Sequence, residues 1–298
     1  MMKRSASSVP RNLGAAFRLA GVALCASACS AGGNIRDLPD EARGGTSGID
    51  AGNLDDPSGC SERAKLIYTV GDDNTLYAFY PRELRFSPIG RLSCGAGSST
   101  PFSMAVDRQS TAWVLYGDGQ LFRVSTEDAS CESTSFVTHE QGFTTFGMGF
   151  ASDFGSATAE TLYAASSTGN GLARLDLDTM QLSRIAPYDS LFVAAELTGT
   201  GSGRLFGYFN LDPGVVAELD KSTARIITEA PQRSVVVGDA WAFAFWGGDF
   251  YLFSAPGSST RVDRYRPSNG EAMTVLTNTG IRVVGAGVST CAPVEPPA

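Results

Sequence analysis

A single histidine, His139, stands in a chain of 298 residues, and charged residues make up only 18% of it. One histidine leaves no H-E-x-x-H zinc pair and no second imidazole to share a proton transfer. The G-x-S-x-G elbow, the P-loop and the redox C-x-x-C are missing as well. Their absence removes the common nucleophile, nucleotide and dithiol chemistries from the reading. Strong helix-forming runs are few, and the apolar stretch from Leu19 to Ala28 is too short to span a bilayer. Basic residues are outnumbered 23 to 31, a net charge of −8. Such a surface disfavours nucleic acid and anionic headgroups.

What the chain does have is repetition. Phe102 to Val137 reads as four short strands, FSMAV, AWVLY, QLFRV and CESTSFV, separated by Asp107, Ser110, Gly117, Asp118, Gly119 and Asp128. Apolar alternation bounded by turn residues predicts strands, and one such sheet cannot bury both faces alone. The second strand recurs at Leu66, Ala112, Leu162, Arg204 and Phe250, at intervals of 46, 50, 42 and 46 residues. The third recurs in phase as LYAFYP, LFRVST, LARLDL, VAELDK and VDRYRP, and the first as FSMAV, FGMGF, AAELT, AFAFW and VGAGV. The chain therefore opens on strands two to four of a unit and ends on an orphan strand one. This register predicts an all-β, five-bladed β-propeller over residues 62–291, closed by a split blade in which VGAGV pairs with LIYTVG. Six blades is the alternative, if a long loop hides a degenerate unit.

The segments AVDRQSTAWVLYGDGQLFRV and LYAASSTGNGLARLDLDTMQLSRI resemble blades of the NHL/YVTN-type propellers: apolar strand, Asp, turn, aromatic-Val, Gly turn, Leu-x-x-Leu-Asp, Thr turn. The resemblance covers roughly residues 62 to 291. It implies the fold and no particular activity, because enzymes, scaffolds and ligand binders all use such propellers.

Residues 1–28 start with Lys3, Arg4, Arg11 and Arg18, carry no acid, and continue into LAGVALCASA before Cys29. This is the pattern of a secretory signal. Ala26, Ser27, Ala28 and Cys29 resemble a bacterial lipoprotein box, which implies that Cys29 is diacylated and becomes the mature N-terminus. Ser30 in the next position implies sorting to the outer membrane. Ala26 occupies a position where such boxes prefer Leu, so ordinary cleavage giving a periplasmic or secreted protein is the alternative. Residues 29–61 read as the anchor cysteine and an acidic, Gly-rich disordered tether, with a reach of roughly 30 Å. Residues 292–298 read as a disordered Pro-rich tail. Beyond residue 28 the chain holds 19 basic and 31 acidic residues, so the mature charge is −12.

Cys60, Cys94, Cys131 and Cys291 remain once Cys25 and Cys29 are set aside. An even number in an exported chain predicts two disulfides. Cys60 sits just before strand two of the split blade and Cys291 just after its strand one, so a bond between them replaces the missing hairpin. Cys94 ends the outermost strand of the first blade and Cys131 begins that of the second, which pairs these two across neighbouring blades.

Propeller ligands sit at the axis or on the face made by the loops leading into strand one and joining strands two to three. Those loops offer His139, Asp239, Asn170 and Asn210 as candidate ligand-binding residues, beside Asp72, Asp73, Asp118 and Asp212 in sequences that tight turns already favour. Glu196 is the only ionisable residue in any innermost strand, and a carboxyl there must be paired or solvated. Trp241, Phe243 and Phe245 alternate with alanines, which predicts packing between blades. No acid pair at the spacing of a glycosidase is visible, and neither a cofactor nor a metal site is expected. The resulting expectation is a monomeric, surface-anchored, non-catalytic binding or scaffold module for a protein or glycan. A propeller enzyme acting on a glycan, with a carboxylate near the central channel, is the alternative.

Overall fold

The computed structural model describes residues 59–156 and 158–297. The signal segment, Cys29 and nearly all of the tether lie outside the described residues.

Turn chemistry decides where the strands stop. Thr111–Tyr116 runs until Gly117, Asp118 accepts the Gln120 N–H through Oδ1 at 3.1 Å, and Gly119 takes φ 85° before Leu121–Ser125 returns. A side chain at Gly119 would be strained there and would also strike Thr138. Repeated along the described residues, this logic yields twenty strands. They are β1 to β3 (Ile67–Gly71, Thr75–Tyr80, Arg85–Arg91), β4 to β7 (Pro101–Val106, Thr111–Tyr116, Leu121–Ser125, Cys131–Ser133) and β8 to β11 (Phe146–Ser152, Glu160–Ser166, Leu172–Asp176, Gln181–Ala186). The second half continues with β12 to β15 (Ala195–Gly199, Leu205–Phe209, Val215–Leu219, Ile226–Pro231), β16 to β19 (Ala240–Trp246, Asp249–Ala255, Arg261–Arg266, Glu271–Leu276) and β20 (Val283–Val288).

They form five antiparallel sheets of four strands, and the first is ordered β20-β1-β2-β3. The ring thus has the five blades predicted, with the split blade where the register placed it. Ile67 pairs with Val288 and Val70 with Gly285 along the closing ladder. The innermost strands β4, β8, β12, β16 and β20 touch in that order, and β20 touches β4 to complete the circle. One strand departs from expectation. β7 ends at Ser133, because Thr134 turns back to donate through Oγ1 to the Leu121 carbonyl at 2.8 Å and also accepts the Phe136 N–H.

The core is divided into five clusters, each lying between two neighbouring blades. No blade has a core of its own, so each is stable only against its neighbours. At the centre there is no room for bulk: a Cβ on Gly147 would meet the Ala195 carbonyl oxygen, and one on Gly149 would lie 2.8 Å from the Leu197 carbonyl carbon. β8 and β12 therefore pass backbone to backbone. Phe243 packs on Tyr208 and Phe245 on Phe206 of the neighbouring blade, at ring separations of 5.7 and 6.3 Å.

Both predicted disulfides form, Cys60–Cys291 with Cα atoms 5.7 Å apart and Cys94–Cys131 at 5.1 Å. Beside the first lies a buried polar knot on the face opposite the loops already singled out. The Arg108 guanidinium donates to Thr290 Oγ1 at 3.0 Å and to Cys60 Sγ at 3.3 Å. Glu160 accepts the Arg108 backbone N–H and the Thr290 hydroxyl, both at 2.7 Å. Blades one, two and three are joined there by groups that could not be buried singly. After Cys291 the chain runs beside the β16–β17 turn, where Gly247 N–H donates to the Pro293 carbonyl at 2.7 Å. Among the described residues no helix is long and apolar enough to cross a membrane.

Candidate ligand site at the propeller axis

Five pairs of loops build one face of the ring. Asp72 N–H donates to the Arg282 carbonyl at 3.0 Å, Gly117 to Thr100 at 2.9 Å, Ser167 to Thr145 at 3.1 Å, and Asn210 to Ala194 at 3.0 Å. The fifth blade makes the corresponding contact as a bridge between Gly238 and Ala255. In each blade the loop leading into strand one is thereby tied to the hairpin joining strands two and three.

Thr100, Asp239 and Arg282 each sit at the upstream end of an inner strand, and all three line one cavity of about 210 Å³. Asp72, Phe102, Glu196 and Trp241 complete its principal lining. Larger hollows of about 410 and 470 Å³ run along the outer strands of blade three, past Arg174 and Asp176 and past Glu140 and Arg184. They lie away from the axis. The axial cavity is the better candidate because a buried carboxyl forms part of its wall.

That carboxyl is Glu196, 4% exposed. Ser103 Oγ–H donates to its Oε2 at 2.7 Å. Ser103 belongs to blade two and Glu196 to blade four, so the bond skips a blade, and blade three contributes the Met148 backbone N–H. Burial pushes the carboxyl well above the usual carboxylate range, and the two hydrogen bonds offset only part of that. Glu196 is therefore held towards its neutral form while it ties three inner strands together.

The other charges differ from it in kind. Asp72 and Arg282 form an ion pair at 3.5 Å, and Arg282 Nε also donates to the Gly257 carbonyl at 3.2 Å. Asp239 is exposed and makes neither an ion pair nor a side-chain hydrogen bond among the described residues. Trp241 is half-buried and its indole N–H is covered, so the cavity meets ring carbon. The mouth thus offers one unpaired carboxylate, one neutralised pair, one near-neutral acid and two aromatic side chains. It shows no nucleophile with an adjacent base. Among the described residues, no three His, Cys, Asp or Glu side chains are grouped to hold a metal ion.

Of the residues singled out from the sequence, Glu196 and Asp239 come together on this cavity, with Asp72 and Trp241. His139, Asn170 and Asn210 do not line it. His139 Nδ1 is 2.9 Å from Thr144 Oγ1, and Asn170 Nδ2 donates to Thr168 Oγ1 at 2.9 Å, so both serve their own exposed loops. Asn210 is anchored through its backbone to Ala194. Arg282 and Ser103 escaped the sequence reading. Arg282 had a signal, being the only charge in residues 279–283, directly upstream of VGAGV.

No protein-family model matches the chain, and no curated protein matches it. Among solved structures it is similar to a chain of a nidogen/laminin complex, with 10% identity over 77% of this chain and 99% of that one and a TM-score of 0.49. It is also similar to a protein of unknown function from Bacteroides caccae, at 10% identity over 74% and 84% and a TM-score of 0.45. A chain of a mitotic checkpoint complex matches with 14% identity over 85% and 77% and a TM-score of 0.41. Likenesses this distant say nothing of ligand or activity.

Proposed function

We propose that the mature protein is a non-catalytic binding module of the cell envelope, held by a lipid on Cys29 and a tether, which takes its ligand at the axial mouth of a monomeric NHL/YVTN-like propeller. The observation that carries the reading is the cavity bounded by Glu196, Asp239, Trp241 and Arg282 on the face where five loop pairs converge. A concave site with a few polar groups and aromatic walls is what binding requires. The two disulfides fit an oxidising, extracytoplasmic compartment. The ligand belongs to a protein or a glycan.

One observation favours a second reading, a glycan hydrolase or lyase. A buried carboxyl with a raised pKa beside two further carboxylates has the raw material of a general acid. Against it, both described partners of Glu196 are structural neighbours. The deciding experiment incubates the purified protein with a glycan panel. No product is expected from the wild type, and Cys29→Ser is expected to move a folded propeller out of the membrane fraction. Turnover that Glu196→Gln abolishes without lowering the melting temperature would replace binding with catalysis.

A further inference from the structure

We infer that the axial cavity binds a small organic cation, an alkyl ammonium or guanidinium group, with Asp239 as its counter-ion. This rests on the binding-module reading and names the chemistry of its ligand.

The charges around the cavity lead there one at a time. Asp72 is already answered by Arg282 at 3.5 Å, so that pair contributes a dipole and no net charge. Glu196 is spent on Ser103 and Met148. What remains is Asp239, exposed at the rim with no partner among the described residues. An anion placed there would meet an unpaired carboxylate, and a neutral group would leave that carboxylate facing water as before. A monocation matches it. The aromatic side chains agree, since Trp241 and Phe102 show the cavity carbon surface, which attracts organic cations and lines their alkyl stems. A metal ion is the poorer fit, because the described residues offer no group of three ligating side chains. Size points the same way: about 210 Å³ is below the range of roughly 300–1,000 Å³ typical of drug-sized ligands, and it suits one side-chain-sized group.

Such a group has two sources, a lysine or arginine side chain on a partner protein or a free amine, and the experiment separates them. The mature protein is titrated with n-butylammonium and with a lysine-bearing peptide, using butyrate and glucose as controls. Calorimetry and the Trp241 indole resonance, assigned with Trp241→Phe, report binding. Both cations are expected to bind and both controls to fail. Comparable affinity for the two cations marks a free amine as ligand, and much tighter peptide binding marks a partner side chain. Asp239→Asn should weaken cation binding tenfold or more. Arg282→Met should strengthen it several-fold by freeing Asp72, a gain that a merely structural role for Arg282 would not produce. Glucose or butyrate binding at this cavity, or cation binding indifferent to Asp239→Asn, overturns the inference and leaves a binding module with another ligand. Failure of every probe to perturb Trp241, while a partner engages a different face, overturns the axial-site reading as well.

Discussion

The bond between Cys60 and Cys291 spans 231 positions of sequence, the one between Cys94 and Cys131 only 37, and this contrast makes closure of the ring measurable. Loop-closure entropy grows with the logarithm of loop length, so the long bond is worth about 5.5 kcal/mol and the short one about 3.8 in the chain-entropy model. Their difference, about 1.6 kcal/mol, does not depend on the constant in that model. The perturbation is Cys60→Ser with Cys291→Ser, compared against Cys94→Ser with Cys131→Ser. Serine leaves an oxygen near the position where Arg108 now donates to Cys60 Sγ at 3.3 Å. For a domain of this size each kcal/mol moves the melting temperature by roughly 2–4 °C, so the first variant should melt about 10–20 °C below the wild type. The second should fall less, by the few degrees that the difference of about 1.6 kcal/mol represents. Scanning calorimetry on oxidised protein gives both numbers, with non-reducing peptide mapping to confirm the remaining bond. Should the short-loop variant lose as much as the long-loop one, or the long-loop variant melt within a few degrees of the wild type, the reasoning fails. Closure would then reside in the β20–β1 ladder and the Arg108 knot, and the covalent link would be incidental.

Three further outcomes follow from the inner strands and the knot. Gly147→Ala forces a methyl group against the Ala195 carbonyl between two inner strands, and denaturant unfolding should show a loss of about 1–3 kcal/mol. Glu160→Ala leaves the Thr290 hydroxyl and the Arg108 backbone N–H without their acceptor and should cost about 1–3 kcal/mol, whereas the same change at exposed Glu83 should be silent. Glu196 holds its proton to higher pH folded than unfolded, so between the two pKa values the folded chain binds more protons and stability falls as pH rises. Glu196→Gln cannot ionise and keeps an acceptor for Ser103, so urea titrations should show its advantage over the wild type growing as pH rises above the ordinary glutamate range; a constant difference would refute the buried, proton-holding carboxyl. Glu160 and Asp107, also raised chiefly by burial, remain in both proteins and cancel in that difference.

The fold was legible because every blade repeats the same local rules. AWVLYGDGQLFRV carries its hairpin in three turn residues, and VGAGV is too small for anything but a crowded inner strand. The disulfides were legible for the same reason, since register alone puts Cys60 and Cys291 at the two ends of the missing hairpin. β7 is shorter than its pattern predicts because Phe136 and Val137 continue the apolar alternation beyond it, while the hydroxyl of Thr134 diverts the backbone before they can pair. A side-chain hydrogen bond of that kind has no periodicity for a pattern to detect.

The site was legible in height and not in radius. A strand register says which end of the ring a residue occupies, and on that ground His139, Asn170, Asn210 and Asp239 were equivalent. Distance from the axis depends on how far each loop leans inward, and that is set by side-chain hydrogen bonds within the loop and by the strand it joins. His139 is held out by Thr144, Asn170 by Thr168, while Asp239 lies one residue from a strand that the ring presses to its centre. The partner of Glu196 was hidden more deeply. Ser103 is 93 residues away, on a blade that is not even its neighbour, and the narrow centre of the five-bladed ring brings the two side chains within 2.7 Å. A residue directly upstream of strand one is thus worth testing in every blade: Thr100, Asp239 and Arg282 meet the axial cavity from that position, and the last two are where the charge of the mouth is decided.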